Sequence, residues 1–171
     1  MEFISWFKDI SKDDVAKVGG KSANLGEMYN IDLPVPPGFV VNAGTYKYFI
    51  EKTNIKDKIA SLLSGLDVED TKRLQETANN IQKLIIATKM PEDIKEEIID
   101  AYESLGAHSD EKSSTSTSDL LKDIEDPFVA ARSSATAEDL PEASFAGQQA
   151  TFLNVKGDEQ LIKAVSGCWA S

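Results

Sequence analysis

Three short stretches carry side chains and glycines that suit the binding of a polyphosphate. In VGGKSANLGEM, Lys21 follows two glycines at the start of a predicted helix, where N–H groups and the helix dipole favour an anion. Arg132 ends the run FVAAR and would present five donors in a fixed fork. Gly147, in SFAGQQATF, would let a turn fold over a phosphate chain, and Thr151 adds a hydroxyl beside it. Together these are the parts needed to neutralise a triphosphate.

Each stretch also has a plain structural interpretation. Lys21 could be a solvated lysine beside a tight turn, because GGKS lacks the spacing of a P-loop. Arg132 could pair with Glu138 or Asp139 in the acidic connection that follows, and Gly147 could be a bulge or hairpin glycine. Taken singly, these interpretations are favoured, and only the combination of the three stretches points to a phosphate site.

Metal and nucleophile chemistry find little support in the sequence. Glu138, Asp139 and Glu142 carry the oxygen ligands that Mg²⁺ prefers, but we interpret them as a solvated acidic loop. The single histidine, His108, lies beside a polar run and is assigned no catalytic role. Cys168 has no base or metal-ligand partner nearby in the sequence, which is typical of a small core residue. We therefore predict no catalytic residue and no metal ligand within the chain.

Composition and charge exclude several classes of partner. The 171 residues with 41% hydrophobic content suit one ordinary globular domain or two small subdomains. Twenty-nine acidic and eighteen basic residues give a net charge of −11, so sequence-independent binding to nucleic acid or an anionic membrane is not expected. With one cysteine, no visible signal peptide and no long apolar run, the expected compartment is the cytoplasm.

Short strands and helices are predicted to position the candidate residues. FISWF (3–7), GFVV (38–41), FVAARSS and ATFLNV have strand character, and we expect the last two to be antiparallel neighbours, with Phe128 buried. A glycine turn opens a helix in GGKSANLGEMYN, with Leu25, Met28 and Tyr29 facing inward. Asn42 is predicted to cap the helix that follows it.

Apolar periodicity predicts longer helices in the rest of the chain. One stripe lies within 67–88 (Leu74, Ala78, Ile81, Ile85), and another follows Pro91 (Ile94, Ile98, Tyr102, Leu105). We expect these two helices to pair, and we expect a final helix capped by Asp158. Residues 109–119 contain no apolar side chain and are predicted to form a flexible Ser/Thr-rich loop. The predicted class is α/β (mixed α+β), helix-rich with short, mainly antiparallel strands.

Four segments together resemble a known family. VGGKSANLGEM, LPVPPGFVV, AARSSATAEDLPEASFAGQQATFLNV and the last CWAS are similar to the N-terminal part of phosphoenolpyruvate synthases. These belong to the dikinase group with pyruvate phosphate dikinase and rifampin phosphotransferase. The resemblance implies that residues 1–171 are the N-terminal part of an ATP-grasp nucleotide-binding domain, cut at its C-terminal end. It also implies that Lys21 and Arg132 contact ATP phosphates, that Gly147 belongs to a glycine loop over them, and that Thr151 lies beside the nucleotide.

The resemblance implies an activity as well. Members of this family convert ATP, pyruvate and water to AMP, phosphoenolpyruvate and phosphate, using Mg²⁺ and a phosphohistidine on a swivelling domain. The Mg²⁺ ligands, the histidine and the pyruvate site are expected after Ser171, in the remaining domains of a parent chain, so this part alone is expected to be inactive. RSSATAEDLP and SFAGQQ favour the synthase or rifampin enzyme over the dikinase, and VPPGFVVNAGTYKYFIE favours the synthase. Both other enzymes, and a non-catalytic ATP-binding or interaction module, remain alternatives.

Overall fold

The computed structural model describes residues 1–67, 69–108, 126–136 and 149–171. The predicted loop at 109–119 therefore lies outside the described residues, as do Gly147 and the acidic Glu138, Asp139 and Glu142. Helices make up most of the described chain, and the strands pair in antiparallel ribbons. This confirms the predicted mixed class, helix-rich with short antiparallel strands.

The first ribbon joins two segments that are far apart in the sequence. Strand β1 (Ile4–Trp6) pairs with β2 (Phe39–Val41), and both lie where aromatic and β-branched residues predicted strands. The connection between them contains two short 3₁₀ turns (Phe7–Asp9 and Lys12–Asp14), helix α1 (Val15–Val18) and helix α2 (Gly20–Asn30). The predicted helix after the glycine turn is thus confirmed as α2.

Helix α2 buries small residues rather than the large ones expected. Ala23 and Gly26 are buried, whereas Leu25, Met28 and Tyr29 are only half-buried, so the predicted inward face was wrong. The reason is close packing against the first 3₁₀ turn: a Cβ atom on Gly26 would lie 2.7 Å from Cγ2 of Ile10. Only the smallest side chains allow this approach. Leu25 and Met28 line an open cleft instead, and the ring of Tyr29 packs on Phe7.

Helix α3 (Ala43–Lys52) begins after Asn42, as predicted, and is followed by α4 (Lys56–Leu63). The side chain of Asn42 does not cap the helix, however. Its Oδ1 accepts a hydrogen bond from Ser5 Oγ (2.9 Å), and its amide donates to the carbonyl of Glu2 (3.1 Å). Because Asn42 is buried, these bonds to β1 satisfy it better than a terminal helix N–H would.

The two long helices differ in how well the periodicity predicted them. In α6 (Glu92–His108), Ile94, Ile98 and Tyr102 are fully buried, as expected. In α5 (Thr71–Ala87), Leu74 is 39% exposed, because this helix meets the core mainly through its C-terminal half. The main neighbours of α5 are α7 (Asp158–Ala170) and α4, so the expected pairing of α5 with α6 is not its principal contact.

The second ribbon and the last helix complete the fold. Strand β3 (Val129–Arg132) pairs antiparallel with β4 (Thr151–Val155), which confirms the predicted neighbours. The final helix has Gly157 as its N-cap, and Asp158 is instead its first residue. Phe128, predicted to be buried, is 69% exposed and carries the ammonium of Lys156 over its ring at 5.1 Å.

One hydrophobic core joins the second ribbon to the helices, since Val155 belongs to this core and Val129 packs against it. Phe49 of α3, Ile94 and Ile98 of α6, and Leu161 and Val165 of α7 pack in the same cluster. Tyr102 of α6 adds a polar link, since its hydroxyl donates to the carbonyl of Pro127 (2.6 Å) and accepts from the N–H of Gly157 (2.9 Å). Among the described helices, none combines the length and the apolar composition that crossing a bilayer requires.

Candidate functional site

Three segments that are distant in sequence converge at one edge of the second ribbon. They are the glycine turn before α2, the residues that follow β3, and the residues that precede β4. The N–H of Gly20 donates to the carbonyl of Ala135 (3.3 Å), and the N–H of Ser133 donates to that of Ala150 (3.1 Å). Lys21, Arg132 and Thr151 are therefore brought to the same region of the molecule.

Gly19 explains why the turn requires glycine. Its φ of +80° lies in a region that L side chains rarely adopt. A Cβ atom at this position would also lie 2.4 Å from both the carbonyl oxygen and the hydroxyl of Ser134. The turn can lie this close to the segment after β3 only because Gly19 has no side chain.

Ser134 supplies the cap that Gly19 cannot. Gly19 is the N-cap residue of α2 and has no side chain to accept from the first N–H groups of the helix. The hydroxyl of Ser134 accepts from the N–H of Ser22 (3.1 Å) and donates to the carbonyl of Val18 (2.9 Å). The helix that carries Lys21 is thus held in place by a residue more than a hundred positions away.

Lys21 is exposed at the first turn of α2, and its ammonium donates to Oε1 of Gln149. The other end of this amide, Nε2 of Gln149, is buried and has no hydrogen-bond partner within the described residues. The pair therefore places a cation and an unused N–H donor next to each other. Both groups are suited to an anionic oxygen.

Arg132 and Thr151 face each other across the ribbon. They are directly opposed in the register of β3 and β4, so their side chains project from the same face of the ribbon. Both are exposed, and no ion pair joins Arg132 to the described residues. The alternative ion pair with Glu138 or Asp139 falls on residues outside the described part of the chain.

A cleft of about 1450 Å³ connects these residues to the hydrophobic part of the molecule. Its described polar lining includes Lys21, Arg132, Ser133, Ser134 and Gln149. Thr151 is not among the lining residues. The only charged side chains in the described lining are the two cations, although the chain as a whole has a net charge of −11. A local positive field inside an acidic molecule is suited to a ligand that carries concentrated negative charge.

The remaining wall of the cleft is apolar and aromatic. It includes Leu25, Met28, Val41, Tyr46 and Trp169. Trp169 of α7 lies 5.7 Å from the ring of Tyr46 and 4.9 Å from that of Phe49, measured between centroids. Burial raises the pKa of Tyr46, whose phenol is neutral at physiological pH even when exposed. Such a wall offers contact area for a flat heterocycle.

Cys168 also lies in this wall, and it is half-buried. Burial raises the pKa of its thiol to about 11. The thiol is thus protonated at neutral pH and is a poor nucleophile, which agrees with its interpretation as a packing residue.

The described residues do not offer a metal site. Among them, no three His, Cys, Asp or Glu side chains come together in a way that could hold a metal ion. The charged side chains in the described lining of the cleft are cations. Mg²⁺ is bound by carboxylate and other oxygen ligands, and a cation cannot serve as one. No Mg²⁺ ligand is therefore assigned within these residues, and His108 simply ends helix α6.

Sequence reasoning missed two residues of the site. Ser134 lies in RSSAT, where its hydroxyl was a visible signal, but nothing local shows that its partners are Val18 and Ser22. Gln149 follows Gly147 closely in AGQQAT, and its contact with Lys21 spans 128 positions. Contacts between residues this far apart in the sequence can be identified only from the three-dimensional structure.

Comparisons with known proteins agree with this picture. The model of the family described as "Pyruvate phosphate dikinase, AMP/ATP-binding domain" matches residues 15–171. A protein of Staphylothermus marinus named probable phosphoenolpyruvate synthase is 52% identical over 99% of this chain, and one of Methanocaldococcus jannaschii with the same name is 50% identical over 100%. The phosphoenolpyruvate synthase of Pyrococcus furiosus is 42% identical over 99% of the chain.

These relatives are much longer proteins. The chain spans 19% of the Staphylothermus protein, 13% of the Methanocaldococcus protein and 23% of the Pyrococcus protein. The family match covers most of the chain and includes every described residue that lines the cleft except Phe7. The chain therefore belongs to the family of pyruvate phosphate dikinase AMP/ATP-binding domains.

Proposed function

We propose that the cleft binds ATP, with Lys21 and Arg132 as ligands of the phosphate groups. One observation carries this proposal: the two cations are the only charged side chains in the described lining, in a strongly acidic chain. The volume of about 1450 Å³ exceeds that of most small-ligand pockets, roughly 300–1000 Å³, and leaves room for a nucleotide. The family description, which names an AMP/ATP-binding domain, supports the same ligand.

Two further residues belong to this proposal. Thr151 lies opposite Arg132 in the ribbon, which supports a place for its hydroxyl beside the nucleotide. Gly147 would form part of a glycine loop over the phosphates, and it lies outside the described residues. The described segments on either side, ending at Thr136 and resuming at Gln149, both line the cleft, so the residues between them begin and end at the proposed site.

We propose further that the polypeptide containing this chain is a phosphoenolpyruvate synthase. In that reaction ATP, pyruvate and water give AMP, phosphoenolpyruvate and phosphate. The names and identities of the three relatives support it. The physical reason is that phosphoryl transfer depends on positioning and on neutralising charge, which a cleft with fixed cations and donors supplies.

The rest of the machinery would lie elsewhere in that polypeptide. We propose that Mg²⁺ ligands, the phosphorylated histidine and the pyruvate site come from segments other than the described residues, which contain no cluster of three His, Cys, Asp or Glu side chains and whose part of the cleft lining includes no carboxylate side chain. This chain would then bind ATP without turning it over, as a domain within the remaining domains of its parent. A cytoplasmic location and the absence of a nucleic-acid or membrane partner are parts of the same proposal.

Phosphorus NMR of the whole gene product tests the reaction. We expect the polypeptide that contains this chain to form AMP and phosphoenolpyruvate from MgATP and pyruvate without added phosphate. A requirement for phosphate, with release of pyrophosphate, would reassign it as a dikinase. ATP binding without any pyruvate-dependent turnover would favour another acceptor, such as rifampin, or a non-catalytic module.

A further inference from the structure

Gln149 lines the cleft together with Lys21 and Arg132, and its side chain contacts Lys21. It lies just before β4, next to Ala150, whose carbonyl is bonded to the N–H of Ser133, the residue after Arg132. Its side chain reaches the ammonium of Lys21 on α2. Gln149 therefore connects the strand that follows it to the helix that carries Lys21.

The chemistry of an ammonium group fixes the orientation of this amide. The ammonium of Lys21 can only donate hydrogen bonds, so Gln149 must present its oxygen to it. The amide nitrogen then necessarily points away from Lys21, with its two N–H donors. The orientation is thus dictated by the contact itself.

The amide nitrogen is left without a protein partner. Nε2 is buried and makes no hydrogen bond to the described residues. A buried polar group without a partner costs about 1–3 kcal/mol, so such a group in a protein usually bonds to a water, an ion or a ligand. Since Gln149 lines the same cleft as Lys21 and Arg132, an acceptor with negative charge would find both cations close by.

We propose that Gln149 is a binding residue of the ATP site with two tasks. Its amide oxygen orients the ammonium of Lys21, and its amide N–H donates to a phosphate oxygen of the nucleotide. The inference rests on the proposed function, because it assigns a further ligand to the phosphate groups of the same site. A neutral amide is suited to this place since it satisfies the lysine without cancelling its charge.

Two substitutions of Gln149 change its hydrogen-bonding groups in different ways. Gln149→Glu keeps an oxygen acceptor for Lys21 but removes the N–H donor and adds a negative charge next to the phosphates. Gln149→Leu removes both the acceptor and the donor at similar size. The added charge should weaken ATP binding in the glutamate variant in either case, so the side-chain amide of Gln149 in the original chain is the decisive probe. If Gln149 served only to orient Lys21, its amide signals would not respond to phosphate, whereas an amide that donates to phosphate must shift.

The matched control is Gln75→Glu on the exposed face of α5. Gln75 is an exposed amide with a side-chain partner, Asn79, and the substitution makes the same change in charge far along the sequence from the cleft segments. Its ATP affinity should stay within about twofold of the original. The urea midpoint of each variant is measured alongside, so that lost binding is not confused with lost folding.

The experiment combines equilibrium dialysis of ATP with NMR of the ¹⁵N-labelled chain. The side-chain amide signals of Gln149 are assigned in the original chain, through their connection to the backbone signals of the same residue. We expect them to shift on adding ATP or inorganic tripolyphosphate, but not adenosine, and we expect Gln149→Glu to lower the ATP affinity at least tenfold. The NMR measurement uses the original chain, so it stands even if a variant fails to fold.

Two results would overturn the inference. If backbone amides near Lys21 respond to ATP while the Gln149 side chain does not, and Gln149→Glu binds normally, the proposed function stands and the role of Gln149 is wrong. If nothing in the chain responds to ATP, both the proposed function and the inference built on it are contradicted.

Discussion

At the residue scale, Lys21 and Arg132 matter because of where they lie rather than because cations are common in this chain. Most of its eighteen Lys and Arg residues are exposed on helices, and several pair with nearby carboxylates, as Lys163 does with Glu159 at 2.6 Å. Surface pairs of this kind contribute little to stability. The two cations of the cleft instead converge from different elements on one space that contains no described acidic side chain.

Removing either cation should weaken ATP binding without unfolding the chain. A hydrogen bond to a charged group contributes about 1.5–3 kcal/mol, so Lys21→Ala and Arg132→Ala should each raise the dissociation constant roughly ten- to a hundredfold. Equilibrium dialysis of the chain against labelled ATP measures this. Lys83→Ala and Arg73→Ala, on the exposed surface of α5, are the matched controls. Near-normal affinity in both cleft variants would remove the basis of the assignment.

The hydroxyl of Ser134 should contribute to stability through the cap it gives α2. Replacing a capping hydroxyl by alanine typically costs about 1 kcal/mol. Ser134→Ala leaves the N–H of Ser22 without this acceptor, so we expect the urea midpoint to fall by the equivalent amount and ATP to bind more weakly, since Lys21 loses its fixed support. Ser64→Ala, at an exposed position after α4, should change neither quantity. An unchanged midpoint for Ser134→Ala would show that the cap is dispensable.

At the element scale, helix α6 holds the second ribbon in position. The hydroxyl of Tyr102 bonds to Pro127 just before β3 and to Gly157 just after β4, so one side chain fixes the outer ends of both strands. The opposite ends of these strands, at Arg132 and Thr151, are the ones that approach α2. The orientation of the site therefore depends on a contact at the far end of the ribbon.

Tyr102→Phe should destabilise the chain although it removes only one oxygen atom. It leaves a carbonyl and an N–H without their buried partner, which costs about 1–3 kcal/mol in the free energy of unfolding. Urea denaturation followed by circular dichroism measures the loss. Tyr29→Phe is a suitable comparison, because the ring of Tyr29 packs on Phe7 and its hydroxyl makes no hydrogen bond within the described residues. Equal stability of the two variants would contradict the role given to Tyr102.

How far the sequence could predict the fold depended on whether a segment was governed by its neighbours or by distant contacts. The buried stripe of α6 (Ile94, Ile98, Tyr102) follows from periodicity alone, because one face of that helix meets the core. The buried face of helix α2 could not be predicted from periodicity, because this helix packs so closely on Ile10 that only small residues such as Gly26 fit there. An analysis of apolar periodicity identifies helix faces that carry large apolar residues. It does not identify a buried face made of glycine and alanine.

The candidate site divides in the same way. Lys21 and Arg132 were visible as residue types with a local context, a glycine turn and a strand end. Ser134 and Gln149 act through contacts that span 112 and 128 positions, respectively, so no local pattern could identify their partners. The proposed roles of Gly147 and Thr151 came from the family resemblance and remain predictions.

At the scale of the whole molecule, burial in the apolar wall of the cleft controls the chemistry of Cys168. Its pKa of about 11 means that roughly one thiol in a thousand is ionised at pH 8. Labelling with a thiol reagent at pH 8 should therefore be slow in the folded chain and rapid in urea. Fast labelling without denaturant would show that the thiol is not buried in this wall.

The same shift makes stability depend on alkaline pH. Because the folded state holds the thiol proton more tightly than the unfolded state, the contribution of Cys168 is complete below pH about 8.5 and is lost as the pH rises towards about 11. Cys168→Ala should reduce that loss between pH 9 and 11, as measured by urea midpoints. An identical alkaline profile in both proteins would contradict the buried position of the thiol.

The most direct test of the central claim is a map of backbone amide shifts when MgATP is added to the ¹⁵N-labelled chain. If the cleft binds the phosphates of ATP, the largest changes will lie at residues 19–22, 132–136 and 149–151. Little change is expected in the separate groove between α4 and α5, which is lined by Ser61, Leu62, Asn80 and Leu84. Absence of change in those three segments, or changes concentrated in that groove, would contradict the account.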